Sequence, residues 1–401
     1  MSERFDTLFE GMSEESAINT LLTDSSELSN PGLKYLAASR LGACSSPQSL
    51  QHLIDAAGNC TDALYERITR RKALEALGRR KNPVALPVIL KALDSADEPT
   101  VVNAADAIAR IAAPLNDTAQ VAMAAALDGP DNQRRAIIQS FTRLGLADRN
   151  DKLVTCRSDH NPLVAGAAHA YAVRVAGHLD GLQPLMHQLK DENPGRRRAA
   201  VIDLGDAARV EALEALVRCP VSMPLRAKSA FQMATAPDQT ILPEAVALLE
   251  QLLQDDPRTL ALDDTPKTAL EPQAIRDGLQ HRDEARQYSA AKALMSLTPE
   301  IRLNEIDCLR TNLGSDYGVH YLLANCTGLL RLTERKDLVR EALAETAPQY
   351  AKSRVAAAWS CLRLNLQDQR VLLTELSQTS RWHPLRWSCS RVVTQLGQQT
   401  K

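Results

Sequence analysis

A helical pattern returns along this chain at a nearly constant interval, and that interval narrows the choice of folds. The stretches TRRKALEALG at 69–78 and NAADAIARIA at 103–112 both have the apolar spacing of a helix that ends at Gly or Ala. Such ends lie 28 to 36 residues apart at Gly42, Gly78, Ala112, Gly145, Gly177 and Gly205, and the spacing resumes near Leu297, Leu330, Leu364 and Gly397. An interval of this size is typical of repeat proteins.

A second helical pattern lies between these ends, clearest in PVALPVILKAL at 83–93, and an acidic turn from Asp94 to Asp97 closes it. Each repeat therefore contains two antiparallel helices, which must stack on neighbouring pairs because one pair alone cannot bury its apolar faces. A chain of 401 residues is also too long for one ordinary core, and only 3% of it is aromatic. The sequence predicts an all-α solenoid, a superhelical stack of helix pairs with a concave groove.

The period lapses between Leu253 and Gln273, where acids and prolines replace the apolar spacing. We interpret this stretch as an exposed connector. The predicted organisation is an N-terminal repeat block at 1–257, a connector at 258–273 and a C-terminal block with capping helices at 274–401, together forming one continuous solenoid.

Charge and composition exclude several classes of partner. With 47 basic and 49 acidic residues the chain lacks the basic excess of a nucleic-acid groove. No apolar run approaches the roughly 18 residues of a membrane span, and MSERFD at the start has no signal-peptide core, so we expect a cytoplasmic protein that binds neither nucleic acid nor membrane. The eight cysteines are far apart without a C-x-x-C pair, so we expect no metal site.

Three segments carry a resemblance to a known family: RFDTLFE at 4–10, RRKALEALGRRK at 70–81 and VVNAADAIARI at 101–111. They resemble the E/F-type phycobilin lyases of cyanobacteria, whose units are HEAT repeats, and the resemblance covers essentially the whole chain. A single chain of this length is most similar to the phycoerythrin bilin lyases and lyase-isomerases. The expected fold is thus a HEAT-like α-solenoid.

The resemblance implies an enzyme with no permanently bound cofactor. Its substrate would be phycoerythrobilin, a linear tetrapyrrole, and its partner a phycoerythrin α subunit whose cysteine forms a thioether with the bilin. Isomerisation to phycourobilin is the favoured extension. A lyase without isomerase activity and a non-enzymatic HEAT-repeat adaptor or chaperone remain open as alternatives.

One helix near the C-terminus combines residue types suited to proton transfer. Projection of residues 316–331 at about 100° per residue places Cys326 on an apolar face. The opposite arc has Ala324 and Gly328 as the floor of a slot, rimmed by Asp316, Tyr317, His320, Tyr321 and Arg331. If a bilin is the substrate, the acid, the phenols and the imidazole of this rim are candidate catalytic groups. Arg331 is a candidate ligand of a bilin propionate. Alternatively, Asp316 caps the helix and the tyrosines pack against the next repeat.

Further candidate ligands of the bilin lie in the first half of the chain. Asn103 and Asp106 share a helical face, and they either contact the bilin or tie adjacent repeats together. Arg70 and Arg71 either bind a propionate or form ion pairs on a solvated helix. Both readings stay open for each pair.

Overall fold

The computed structural model describes residues 11–148, 151–262 and 271–399. Within these ranges the chain forms 23 α-helices, and its only extended pairing is an isolated bridge between Thr235 and Ile241. The predicted all-α HEAT-like solenoid is confirmed as a fold class. The chain divides between Leu182 and Gln183 into two compact units.

The first unit contains ten helices among its described residues: α1 Glu14–Leu22, α2 Leu33–Leu41, α3 Pro47–Gly58, α4 Leu64–Arg80, α5 Leu86–Lys91, α6 Glu98–Ile111, α7 Asp117–Ala125, α8 Asp131–Leu144, α9 Lys152–Thr155 and α10 Pro162–Arg174. Helices α2, α4, α6, α8 and α10 pack consecutively in one layer, and α3, α5 and α7 form a second layer beside them. Ala, Leu and Ile side chains fill the space between the layers. This arrangement confirms two stacked helices per repeat.

The second unit contains the remaining described helices: α11 Leu182–Gln188, α12 Pro194–Ala207, α13 Leu213–Val217, α14 Met223–Ala234, α15 Val246–Gln254, α16 Pro272–Leu279, α17 Glu284–Ser296, α18 Pro299–Leu313, α19 Tyr317–Leu329, α20 Lys336–Ala344, α21 Ala351–Arg363, α22 Arg370–Thr379 and α23 His383–Gln399. Helices α19, α21 and α23 pack consecutively, as do α12 and α14. Helix α15 packs against α21, where Arg363 Nη2 donates to Gln254 Oε1 at 2.6 Å. Contacts across more than 100 residues thus hold this unit together.

Polar caps and left-handed residues set the helix ends. Asp97 caps α6 by accepting the Thr100 N–H at 3.1 Å, so the predicted acidic turn opens a helix. Helices α6 and α8 end on the left-handed residues Ala112 (φ 53°) and Gly145 (φ 65°), as the repeat pattern predicted.

Three of the predicted helix ends are wrong, because Gly78, Gly205 and Gly397 lie inside α4, α12 and α23. A Cβ atom on Gly78 would lie 2.9 Å from Cα of Ala107 on α6. A Cβ on Gly205 would lie 2.7 Å from Cβ of Ser229 on α14. Glycine serves here to let consecutive helices approach closely.

The predicted connector at 258–273 lies within the second unit, whereas the division between units falls at 182/183. Its first part is ordered against the unit, since the Ala261 N–H donates to the Arg218 carbonyl at 2.7 Å. Its residues 263–270 lie outside the described ranges, as does the segment 4–10 that contributed to the resemblance.

Candidate functional site

Asp316 and Tyr317 open helix α19, as the sequence placed them. The Asp316 carboxylate caps the helix, and its Oδ1 accepts the N–H groups of Gly318 at 2.8 Å and Val319 at 2.9 Å. Asp316 can cap the helix and also contact a ligand, since both capping hydrogen bonds go to Oδ1 and neither uses Oδ2. Tyr317 follows with 56% of its surface exposed. These two residues form the accessible part of the predicted polar arc.

Tyr321, in contrast, is only 3% exposed, which corrects its expected place on an open rim. Its hydroxyl donates to Asp255 Oδ2, and so does the hydroxyl of Tyr288, at 2.8 Å. Burial, with the nearby Asp255 charge, raises the pKa of both phenols well above the usual value. Tyr321 is therefore a buried hydrogen-bond donor at neutral pH.

Arg226 completes this buried ionic cluster, which consists of Arg226, Asp255, Tyr288 and Tyr321. Its guanidinium is fully buried, pairs with Asp255 Oδ1 and donates from Nε to the Val221 carbonyl at 2.7 Å. Asp255 ends α15 in the left-handed conformation (φ 45°). The cluster thereby joins helices α14, α15, α17 and α19.

The expected slot above Ala324 and Gly328 is filled by helix α21. The Ser360 hydroxyl donates to the Ala324 carbonyl at 2.9 Å, and a Cβ atom on Gly328 would lie 2.6 Å from Cα of Ser360. The small residues serve helix packing, because a helix inside a solenoid is covered on two sides. On the opposite face Cys326 is fully buried, as its predicted place on the apolar face requires, and burial raises the pKa of its thiol to about 12.

His320 lies one helical turn after Asp316, and its N–H donates to the Asp316 carbonyl at 2.8 Å, whereas Arg331 lies at the other end of the helix. The His320 ring packs on the Tyr350 ring with centroids 4.7 Å apart, and burial lowers the pKa of the imidazole. It borders a small cavity of about 170 Å³ that is also lined by Arg310 and Glu341. Arg331 is exposed just beyond the C-terminal end of α19.

No sequence pattern pointed to Lys352, which the structure places beside the accessible pair. Its Nζ lies 4.6 Å from the ring centroid of Tyr321 and 5.9 Å from that of Tyr317. Burial lowers the pKa of this ammonium group, while the charges of Asp255, Asp316 and Glu284 oppose the shift. Only the register of α21 against α19 brings this side chain to the site.

The candidates in the first unit are occupied by structural contacts. Asn103 Nδ2 donates to the Pro99 carbonyl of its own helix at 2.7 Å. Asp106 pairs with Arg110 at 2.6 Å and with Arg143 on the next helix of the layer at 3.4 Å. This favours the alternative in which Asp106 ties adjacent repeats together.

Arg70 and Arg71 are held in a similar way. Arg70 is 7% exposed and donates from Nη1 to the Asn59 carbonyl at 2.6 Å. Arg71 Nε donates to Asp97 Oδ2 at 2.8 Å, and this hydrogen bond is the main reason why the pKa of Asp97 falls to about 2. Inter-repeat pairing is thus what the structure shows for Arg71.

A cleft of about 890 Å³ in the second unit was not predicted from the sequence. Helices α11, α12, α13 and α17 and the turns beside them form it, with apolar, basic and acidic side chains side by side. Arg197 braces one wall by pairing with Asp283 and by donating to the carbonyls of Asp191 at 2.8 Å and Glu192 at 3.0 Å. A cavity of this size is in the range of small-molecule sites.

Membrane-spanning helices and clusters of metal ligands are both absent from the described ranges. None of the helices there combines the length and the apolar character that crossing a bilayer demands. The same residues include no group of three or more His, Cys, Asp or Glu side chains placed to hold a metal ion.

Comparison with known proteins agrees with this fold. A family model described as HEAT repeats matches residues 62–142. The complex of CpcE and CpcF of phycocyanin lyase from Nostoc sp. PCC7120 is similar in structure, with a TM-score of 0.52 and 22% identity over 60% of this chain and 94% of that chain. Fold and matched repeats together define a HEAT-repeat protein.

Two relatives in sequence define the family. Phycocyanin operon protein Y of Pseudanabaena tenuis (strain PCC 7409) is 30% identical over 365 residues, which are 89% of this chain and 86% of the relative. Bilin biosynthesis protein CpeY of Synechococcus sp. (strain WH8020) is 25% identical over 85% of this chain and 84% of its own. The chain belongs to the E/F-type HEAT-repeat family of phycobilin lyases, which confirms the resemblance.

Proposed function

We propose that this protein attaches phycoerythrobilin to a cysteine of a phycoerythrin α subunit through a thioether and isomerises the pigment to phycourobilin. The observation that carries the proposal is the 30% identity over 365 residues to phycocyanin operon protein Y. The relative named as a bilin biosynthesis protein supports a bilin as the substrate. We propose phycoerythrobilin as the pigment and the α subunit as the acceptor because this single long chain resembles the phycoerythrin lyases.

Ligation needs a thiol and a proton but no change of oxidation state. The acceptor sulfur adds to the ethylidene group of ring A, a C–S bond forms, and the thiol proton passes to the neighbouring carbon. In this proposal the thiol is the partner's, as the resemblance to phycobilin lyases implies. The buried cysteines Cys326, Cys361 and Cys389 do not compete with it, because burial raises the pKa of each thiol to about 12. General acid–base groups suffice for the proton, each contributing about 10²- to 10⁴-fold.

Asp316 and Tyr317 are the proposed proton-transfer pair. Asp316 Oδ2 is not used by the helix cap, and Tyr317 is exposed beside the Lys352 ammonium group. In isomerisation one group takes a proton from a ring A carbon and another returns it to the neighbouring methine carbon. Tyr321 takes no part, since its hydroxyl is bound to Asp255 inside the unit.

Co-expression of this chain with phycoerythrobilin synthesis and a phycoerythrin α subunit tests the proposal. The expected product absorbs at the bluer phycourobilin position, and Asp316→Asn and Tyr317→Phe each reduce the yield or the blue shift by about tenfold or more. Tyr65→Phe, which changes another exposed tyrosine, is the matched control and keeps yield and colour. Unchanged product in both site variants would return Asp316 and Tyr317 to a purely structural role.

A lyase without isomerase activity is the second candidate, and the burial of Tyr321 favours it. Because Tyr321 is buried, the accessible arc has fewer groups able to transfer a proton than the sequence predicted. In the same assay this function gives absorption at the phycoerythrobilin position with none at the phycourobilin position. That result would refute isomerisation and leave ligation intact.

A further inference from the structure

We propose that the 890 Å³ cleft of the second unit is the bilin-binding site, and that Lys190, Arg218 and Arg286 bind the propionates of the pigment. This inference rests on the proposed function and adds to it the place and the orientation of the ligand. None of these three residues belongs to the polar arc of α19.

The three cations are free to bind an anionic ligand. Lys190 and Arg218 are exposed and form no ion pair or side-chain hydrogen bond with any described residue. Arg286 has only a 3.5 Å contact with His281 Nε2. Arginine binds a carboxylate through two parallel hydrogen bonds, and lysine adds a compact positive charge. A bilin has two propionates, which the three cations that line this cleft can neutralise.

The other side chains of the cleft suit the rest of a tetrapyrrole. Met186, Leu189 and Pro220 offer apolar surface to the conjugated rings. Glu192 and Glu214 line the cleft without a cation partner among the described residues, so their carboxylates can accept the pyrrole N–H groups. Cations, carboxylates and apolar surface within one cleft match the mixed chemistry of a protonated bilin.

The walls of the cleft are fixed before a ligand arrives. Arg198 Nη2 pairs with Glu284 at 2.7 Å, next to the Arg197–Asp283 pair. Arg226 donates to the carbonyl of Val217, beside Arg218, so the buried ionic cluster supports the same wall. A preorganised site loses less entropy on binding. Cys219 also lines the cleft, but burial raises its pKa to about 11, which leaves it a neutral thiol at neutral pH.

The cleft and the proposed proton-transfer pair belong to one framework. The buried cluster that holds Val217 also holds Tyr321, one helical turn from Tyr317. Glu284, at the start of α17 behind the cleft, acts on the charge of Lys352 beside Tyr317. The same buried cluster thus holds α17, which lines the cleft, and α19, which carries the accessible acid.

Titration of the purified full-length protein with phycoerythrobilin, followed by absorbance, tests this assignment. Arg218→Ala and Arg286→Ala are each expected to weaken binding by about tenfold or more, because each removes a charge-assisted contact. Lys336→Ala removes an exposed charge outside the cleft and is expected to bind as the wild type does. Thermal unfolding of each variant checks that the fold is kept.

The dimethyl ester of phycoerythrobilin separates propionate binding from other contacts. The wild type should bind the ester more weakly than the free acid, and this difference should be smaller in Arg218→Ala, which keeps Lys190 and Arg286. If both arginine variants bind the free acid as tightly as the wild type while phycoerythrin is still coloured in co-expression, the cleft assignment is overturned and the proposed function stands. If the wild type neither retains the bilin nor colours phycoerythrin, both are overturned.

Discussion

Replacing Asp255 by Asn tests the buried ionic cluster of the second unit. Asn keeps the shape of the side chain and tolerates the left-handed backbone at this position (φ 45°), so the substitution removes little besides the charge. Arg226, which is 0% exposed, then lacks its only anionic partner among the described residues, and two phenols donate to an amide in place of a carboxylate.

The expected loss is large for a single isosteric change. Breaking a buried ion pair by removing one partner costs about 3–5 kcal/mol, since the remaining charge stays buried and uncompensated. For a unit of roughly 200 residues this corresponds to a fall in Tm of about 6–20 °C. Urea unfolding and calorimetry measure both quantities.

Two substitutions serve as controls. Asp256→Asn changes the next residue, whose carboxylate pairs at 2.6 Å with the partly exposed Arg258, and should cost about 0–1 kcal/mol. Tyr288→Phe removes one hydroxyl from the cluster and should cost about 1 kcal/mol. If Asp255→Asn lowers the free energy of unfolding by less than about 1 kcal/mol, as Asp256→Asn does, the Arg226–Asp255 pair is not fully buried.

Two further predictions concern helix packing and pH. Gly328→Ala forces a Cβ within 2.6 Å of Cα of Ser360 and should destabilise the protein by about 1–3 kcal/mol in urea unfolding, with partial rescue by Ser360→Gly. Asp97→Asn should cost about 1 kcal/mol at neutral pH. Because Arg71 holds the pKa of Asp97 at about 2, below its ordinary 3.8, this stabilisation is present above pH 3.8 and is lost as the pH falls through about 2.

Each of these predictions has a clear contrary result. Wild-type stability in Gly328→Ala would mean that α19 and α21 do not approach as closely as described. For Asp97→Asn, the difference from the wild type in urea unfolding should shrink between about pH 4 and pH 2. A difference that stays constant over this range would show that the Asp97 charge contributes nothing.

Much of the fold was predictable because its signals are local. Helix periodicity, the Asp97 cap and the left-handed ends at Ala112 and Gly145 depend on residues a few positions apart. Gly78 misled the prediction, since a glycine required for close packing inside a helix resembles one that ends a helix.

The candidate site was predictable only at its edge. The Asp316 cap involves residues two and three positions away in sequence. Tyr321, in contrast, is buried and hydrogen-bonded to Asp255, which is 66 residues away. A helical projection shows which residues share a face, but not whether another helix covers that face. The cleft escaped prediction for a related reason, since its lining comes from separate turns that no periodic pattern links.

Covalent attachment of a bilin is the activity that we propose for this chain. Its most direct test is to purify the phycoerythrin α subunit after co-expression, denature it in acidic urea, digest it and determine the masses of its coloured peptides. A cysteine peptide heavier by one bilin, formed only when this chain is present, is the predicted result. Pigment that separates from the denatured subunit, with all cysteine peptides unmodified, would contradict the claim and show a non-covalent bilin carrier instead.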